Sequence, residues 1–299
     1  PDAAPGEIFL ARVGGMLNRA QRNGPQAGLD ALPSVRERYT APDQFFFRVL
    51  LADQTFLLRR ELAASVALDQ RDRAVALAFT AYTDLLTAET AVPREALREI
   101  VYARLATATD PGAMTEIGDD GPLLVRIARA DRLAREESTR AAAIGQLEEM
   151  LQAKDLAEAD EAAALFALGR ALAEHGQPLF AARRFIELAA RFPGDAHAER
   201  SVMLGVTLAG QVHESHRDDV EARSALRHGL ELVLSRYSNL PEQERWRYAA
   251  ARLAATERRF DEAMTLLQGV SATSTLTPDA LFLRAQVLRD RARGIADST

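Results

Sequence analysis

The chain reads as an all-α protein built from antiparallel helical hairpins, and three observations carry that reading. Apolar residues recur with helical period along nearly the whole chain, and no run alternates as a half-buried strand would. Prolines stand where helices could begin, because the first helical position needs no N–H partner. Small residues then recur at a roughly constant interval in the second half. A length of 299 residues suits one elongated domain or two compact ones, and 47% hydrophobic against 27% charged residues places the chain among globular proteins.

The elements follow in order. Gly6–Arg22 has helical period, and an irregular stretch runs from there to Tyr39, because Gly24-Pro25 and Pro33 break the pattern. Helices are expected near 42–66, 70–89, 94–109, 122–136, 139–153, 157–175 and 178–192. Others follow near 195–211, 217–237, 241–257, 260–269 and 278–293. Short connections between them favour antiparallel neighbours. Asp110–Gly121 combines proline, glycine and aspartate, and is either a boundary or a long loop inside a continuous array.

The stretch "ALFALGRALAEHGQPLFAARRFIELAARFPGD", Ala164–Asp195, is the clearest unit. Leu165, Leu168-Gly169 and Leu172 share one face of its first helix, Ala181 and Phe185 one face of its second, and Pro193 ends it. Gly169 and Ala181 permit close approach, and large apolar residues one turn away fill the remaining space. Gly205 follows Gly169 after 36 residues, Ala251 follows Gly205 after 46, and Ala285 follows Ala251 after 34. Gly229 and Ala263 are also 34 apart, and Pro241 stands to Gly229 as Pro193 does to Ala181. The middle hairpin therefore carries an insertion of about twelve residues that includes His213–Asp219. Trp246, Tyr248 and Phe260 supply aromatics to the next hairpin, and Ala128 with Leu124 and Ala143 with Leu147 form a looser upstream copy.

These residues resemble the tetratricopeptide repeat (TPR), with Leu165 and Leu172 in place of its usual aromatics. The resemblance covers about 120–299 and implies a right-handed superhelix, or solenoid, of TPR-like hairpins with 278–293 as a capping helix. Residues 1–110 form an N-terminal helical region of possible degenerate repeats. The run from "ALFALG" through "FPGD" to "MLG" is also similar to repeats of bacterial cell-envelope TPR proteins. That favours a periplasmic or envelope location over the cytoplasm.

Composition narrows the function. Net charge is −6, so no global basic field draws the chain to nucleic acid. The absence of cysteine excludes disulfides, thiol catalysis and cysteine-ligated zinc. No apolar run reaches the ~20 residues of a transmembrane helix. Lys154 is the only lysine among 37 basic residues, so single arginines weigh less in an arginine-biased chain. The first residue is Pro1 rather than Met, as expected of a fragment or a processed chain.

Stacked hairpins would leave a concave face lined by first helices. The residues on it not needed for packing are Arg129, Arg132, Phe166, Arg170, Val202 and Val206, then Arg245, Tyr248, Arg252, Phe282 and Gln286. Arginine forks pair with carboxylates and aromatics supply anchors, so this face suits a protein or peptide partner, acidic in character. The competing reading is that these arginines solvate exposed helices. The TPR subclass that clamps a C-terminal carboxylate uses a lysine and asparagine arrangement that this face lacks.

Catalytic and metal motifs are weak. His213 and His216 with Asp218 and Asp219 could approach a metal shell, but they fall in the inserted loop. There Asp218 also suits a helix N-cap with Glu221 in capping-box position. Asp119-Asp120-Gly121 lacks the ligand pattern of a calcium loop and reads as a cap. Glu136-Glu137, Glu148-Glu149 and the Glu158, Asp160, Glu161 group read as solvated faces. Phe45-Phe46-Phe47, spaced with Leu50, Leu51, Leu57 and Leu58, reads as core. No catalytic residue, cofactor or metal site is expected. The expectation is a non-catalytic interaction scaffold presenting a groove. The alternatives are a structural, oligomer-building subunit, or the helical accessory domain of an envelope enzyme whose catalytic domain lies elsewhere.

Overall fold

The computed structural model describes residues 5–39, 44–82, 100, 103, 123–153, 156–240 and 242–296. All regular structure among these residues is helical. The helices are α1 (Pro5–Asn23), α2 (Pro25–Arg36), α3 (Phe45–Ala64), α4 (Leu68–Phe79), α5 (Leu123–Leu133) and α6 (Glu137–Leu151). They continue with α7 (Glu158–Glu174), α8 (Pro178–Arg191), α9 (Ala198–Ser215), α10 (Val220–Arg236), α11 (Gln243–Thr256), α12 (Phe260–Gln268) and α13 (Thr277–Ala296). The expected helix near 94–109, the Asp110–Gly121 break and Pro241 lie outside the described residues. The chain forms two compact units, Pro1–Asp160 and Glu161–Thr299.

In the first unit, the stretch expected to be irregular is helix α2. Gly24 turns the chain with a φ of 89° and Pro25 opens the helix at a position where no N–H is needed. Pro33 lies in the last turn, where it costs the helix one i→i−4 hydrogen bond, and the helix ends three residues later at Arg36. A Cβ on Gly28 would stand 2.7 Å from the Ala20 Cβ, so glycine lets α1 and α2 close on each other. Phe9, Tyr39 and Phe47 form an aromatic cluster, with Phe9 4.6 Å from Phe47 and 5.1 Å from Tyr39 between ring centroids. Helix α3 serves two cores. Leu51 and Leu58 pack with α1 and α2, and Val49, Ala52 and Phe56 pack with Phe79, Tyr82 and Val125. Of the three phenylalanines expected in the core, Phe45 and Phe47 pack there, but Phe46 is 67% exposed. Three consecutive residues span about 200° of a helix and cannot all face inward.

In the second unit the packing register differs from the 34-residue frame. A Cβ on Gly169 would meet the Phe185 ring at 2.7 Å, and one on Gly210 would meet Leu226 at 3.8 Å. Ala251 and Leu267 share the core of the last hairpin. Gly169, Gly210 and Ala251 stand 41 residues apart, as do Ala181, Ala222 and Ala263, and Phe185, Leu226 and Leu267. The C-terminal ends of α7, α9 and α11, at Glu174, Ser215 and Thr256, keep the same spacing. In sequence it extends back to Leu133 at the end of α5 and to Ala128.

Gly205 and Gly229 are therefore not the counterparts of Gly169 and Ala181. A Cβ on Gly205 would lie 2.7 Å from Ile186 and 3.0 Å from the Ala182 carbonyl oxygen, so this glycine seats α9 on the preceding α8. A Cβ on Gly229 would meet Val206 at 2.6 Å. The expected insertion is not a loop either. His213 lies in the last turn of α9, and only His216–Asp219 separate it from α10. Asp219, not Asp218, caps α10, accepting from the Glu221 and Ala222 amides at 2.8 and 3.0 Å.

The other two turns share one geometry. Gly176 and Arg258, both left-handed with φ of 77° and 60°, are followed by amides that reach back to Leu172 O at 2.9 Å and Ala254 O at 2.8 Å. At the far end of the first hairpin, Tyr237 and Arg236 donate to Ala189 O at 2.7 Å and Ala190 O at 2.8 Å. They satisfy carbonyls that α8 leaves without helical partners.

Candidate partner-binding surfaces

The residues expected to form one binding face divide between the two units. In the first, Arg129 is 3% exposed and so is not a surface group, and Arg132 pairs with Glu136 at 3.1 Å. In the second, Phe166 is held on three sides. Its ring is 5.8 Å from Phe185, stacks on His197 at 4.3 Å and 11°, and lies under Arg200 at 5.8 Å. It braces α7 against the start of α9 and is not an open anchor. Val202 and Val206, expected at the surface, are buried, because α9 uses them for packing.

Arg170 lies 4.0 Å from Glu174, and Arg252 reaches Glu214 of α9 at 3.8 Å. Arg245 pairs with Glu242 at 2.8 Å beside the start of α11. Tyr248 packs against the core of α11, α12 and α13. Phe282 is exposed and Gln286 half-buried. Phe166 and Tyr248 are two periods apart, and so are Arg170 and Arg252. The sequence thus picked out equivalent positions on successive first helices, but their side chains chiefly join neighbouring elements.

An open groove of about 400 Å³ lies instead between the second helices α8 and α10. Ile186, Glu187 and Arg191 line one wall, Glu221, Ser224 and His228 the other. Arg183 crosses to Glu221 at 2.7 Å. Arg191 binds Glu161 at 2.5 Å and Glu187 at 3.2 Å, and these bonds, led by the one to Glu161, raise the guanidinium's pKa further and hold its charge. Beside the groove, Phe180 is 56% exposed with Arg183 6.0 Å over its ring, and Val220 is 64% exposed. The expected face of first helices does not include this surface. Its signal was Phe180, an aromatic next to Ala181 and therefore off the buried face.

A second charged cluster ties α10 to the α11–α12 turn. Glu257 accepts from Arg227 and Arg259, with Arg223 at 3.8 Å. Burial pushes its carboxyl pKa up, but the arginine bonds outweigh that and hold it below the ordinary glutamate range. Arg259 also pairs with Glu262, which completes a structural network. Among the described residues, no group of three or more histidines, aspartates and glutamates is placed to hold a metal ion, and no helix is long and apolar enough to cross a membrane. Compared with family models, curated proteins and solved structures, the chain matches none.

Proposed function

We propose that this chain is a TPR-like, non-catalytic interaction scaffold that holds a segment of a protein partner. The observation that carries the reading is the α8–α10 groove. It is lined by apolar Ile186 and Ala225 and by an arginine and carboxylate pair, Arg183 and Glu221, on two rigid helices, with exposed Phe180 under Arg183. Exposed ion pairs of this kind contribute little to stability, about 0–1 kcal/mol. Their charges are therefore cheap to redirect toward a partner's carboxylate or arginine. The helices themselves are held by close contacts at Gly169, Gly205 and Gly229, so the surface is preformed. The cell-envelope location rests on the sequence resemblance alone.

The test is site-specific photo-crosslinking in native cells. A crosslinker at His228 is expected to capture one discrete protein, and one at exposed Gln152 is not. Equal capture at both positions, or none at His228, overturns the groove reading. Light scattering on the purified protein separates it from the oligomer-building alternative, which requires a stable homo-oligomer.

A further inference from the structure

We infer that the α8–α10 groove takes an extended, uncharged stretch of a partner protein, with apolar side chains at alternate positions and its backbone bonded to Ser224 and His228. The inference rests on the groove reading and names the occupant.

The charged groups of the groove are already engaged. Arg183 holds Glu221, and Arg191 holds Glu161 and one oxygen of Glu187, whose other oxygen accepts from Arg184 at 2.9 Å. A partner's charge can exchange into the exposed Arg183–Glu221 pair at one end, but the floor beyond it is Ile186, Ala190 and Ala225. The 41-residue register shows that this floor is no by-product of the repeat. Arg227 and Gln268 take the place of Ile186 in α10 and α12, and Glu231 takes that of Ala190. Arg227 is bonded to Glu257. An apolar floor is therefore particular to the α8 wall, and a charged segment laid along it would lose hydration with nothing in return.

Two polar groups of the groove are uncommitted, and both are on α10. Thr207, Ser215, Ser235 and Thr265 each donate to the carbonyl four residues back at 2.6–3.0 Å. Ser224 makes no such bond, and neither its hydroxyl nor the His228 ring has a hydrogen-bond partner among the described residues. Both residues are exposed and line the groove. Four residues apart on one helix, they are separated by about 6 Å along its axis. An extended backbone presents N–H and C=O to the same side at every second residue, about 6.6–6.8 Å apart. Ser224 and His228 thus match alternate residues of an extended chain, whose backbone groups need partners when it leaves water. Ile186 and Ala190, also four residues apart, meet its alternate apolar side chains in the same way. A helical partner has already spent its backbone groups internally and leaves Ser224 and His228 unmatched.

The probe is a phage-displayed library of random dodecapeptides selected on the purified protein. The stretch common to the recovered peptides is expected to be uncharged, with apolar residues at alternate positions. A recovered peptide, synthesised with capped ends, is expected to bind about three- to tenfold more weakly to Ser224→Ala and to His228→Phe. It is expected not to bind Ser224→Trp, which plugs the groove from an exposed position, and circular dichroism checks that each variant is folded. A charged common stretch, apolar residues at helical i, i+3, i+4 spacing, or affinity indifferent to both Ser224→Ala and His228→Phe would each overturn the inference. Recovery of no peptide that distinguishes wild type from Ser224→Trp would overturn it too. The groove reading is judged separately, by the crosslink at His228: a discrete protein captured there upholds the groove whatever the library yields, and its absence removes both.

Discussion

The edge of the Phe185 ring occupies the space where Gly169 has no side chain, and this contact, 16 residues apart in sequence, sets the register of the second unit. The same spacing joins Gly210 to Leu226 and Ala251 to Leu267. Several consequences are open to measurement.

Two glycines inside helices should respond in opposite directions to alanine. At Gly145 a Cβ would meet nothing within 4 Å, so Gly145→Ala should stabilise by up to ~1 kcal/mol through helix propensity. At Gly205 it would meet a backbone carbonyl at 3.0 Å and Ile186 at 2.7 Å, so Gly205→Ala should destabilise by about 1–2 kcal/mol net. Urea melts of both variants check the pair, and a stabilised Gly205→Ala would refute the packing argument.

Arg258 spends its left-handed φ of 60° at the position where Gly176, two periods earlier, uses glycine. Arg258→Gly should raise the melting temperature, since relief of a strained αL residue is worth about 1 kcal/mol. The reverse change, Gly176→Arg, should lower it.

Glu257 should make stability depend on pH. Its carboxyl pKa is held low in the folded protein, so the stabilisation is fully present above the ordinary glutamate value of 4.5 and is lost as pH falls through the lower folded value. Glu257→Gln should cost about 2 kcal/mol at pH 7, because three arginines lose the negative charge they share and one of its two acceptor oxygens, and progressively less in acid. A difference between wild type and variant that does not shrink below pH 4.5 would count against this.

Tyr237 donates its hydroxyl to Ala189 O at 2.7 Å, and burial raises its pKa above 10.0. Its contribution should be constant at neutral pH and disappear only as alkaline pH passes the raised folded value. Tyr237→Phe should lose about 1 kcal/mol, measured by thermal melts near pH 7, because Ala189 O then lacks its partner.

Much of the fold was legible in the chain. Thr256 and Phe260, like Glu174 and Pro178, were bracketed by the sequence signals to within a residue or two, because helix ends depend on local turn chemistry. Helix α2 was not legible, since Pro25 and Pro33 look like breakers until one is seen at the first position and the other in the last turn. Asp218 and Asp219 are equivalent candidates in sequence, and only the placement of the Ala222 amide chose between them. The candidate surface was less legible still. Arg170 and Arg252 occupy equivalent positions, as the repeat suggested, yet Glu174 and Glu214 already engage them.

The sequence by itself determined an all-helical chain, the ends of most helices and the small residues that permit close packing. These are properties of short segments, governed by backbone propensity and the 3.6-residue period. Tertiary structure alone decided that Gly205 meets Ala182 while Gly210 meets Leu226, that Phe166 braces two helices, and that a groove opens between α8 and α10. Those outcomes depend on how far each helix is rotated and shifted against its neighbour. Only the simultaneous packing of both faces sets that, and no single helix encodes it.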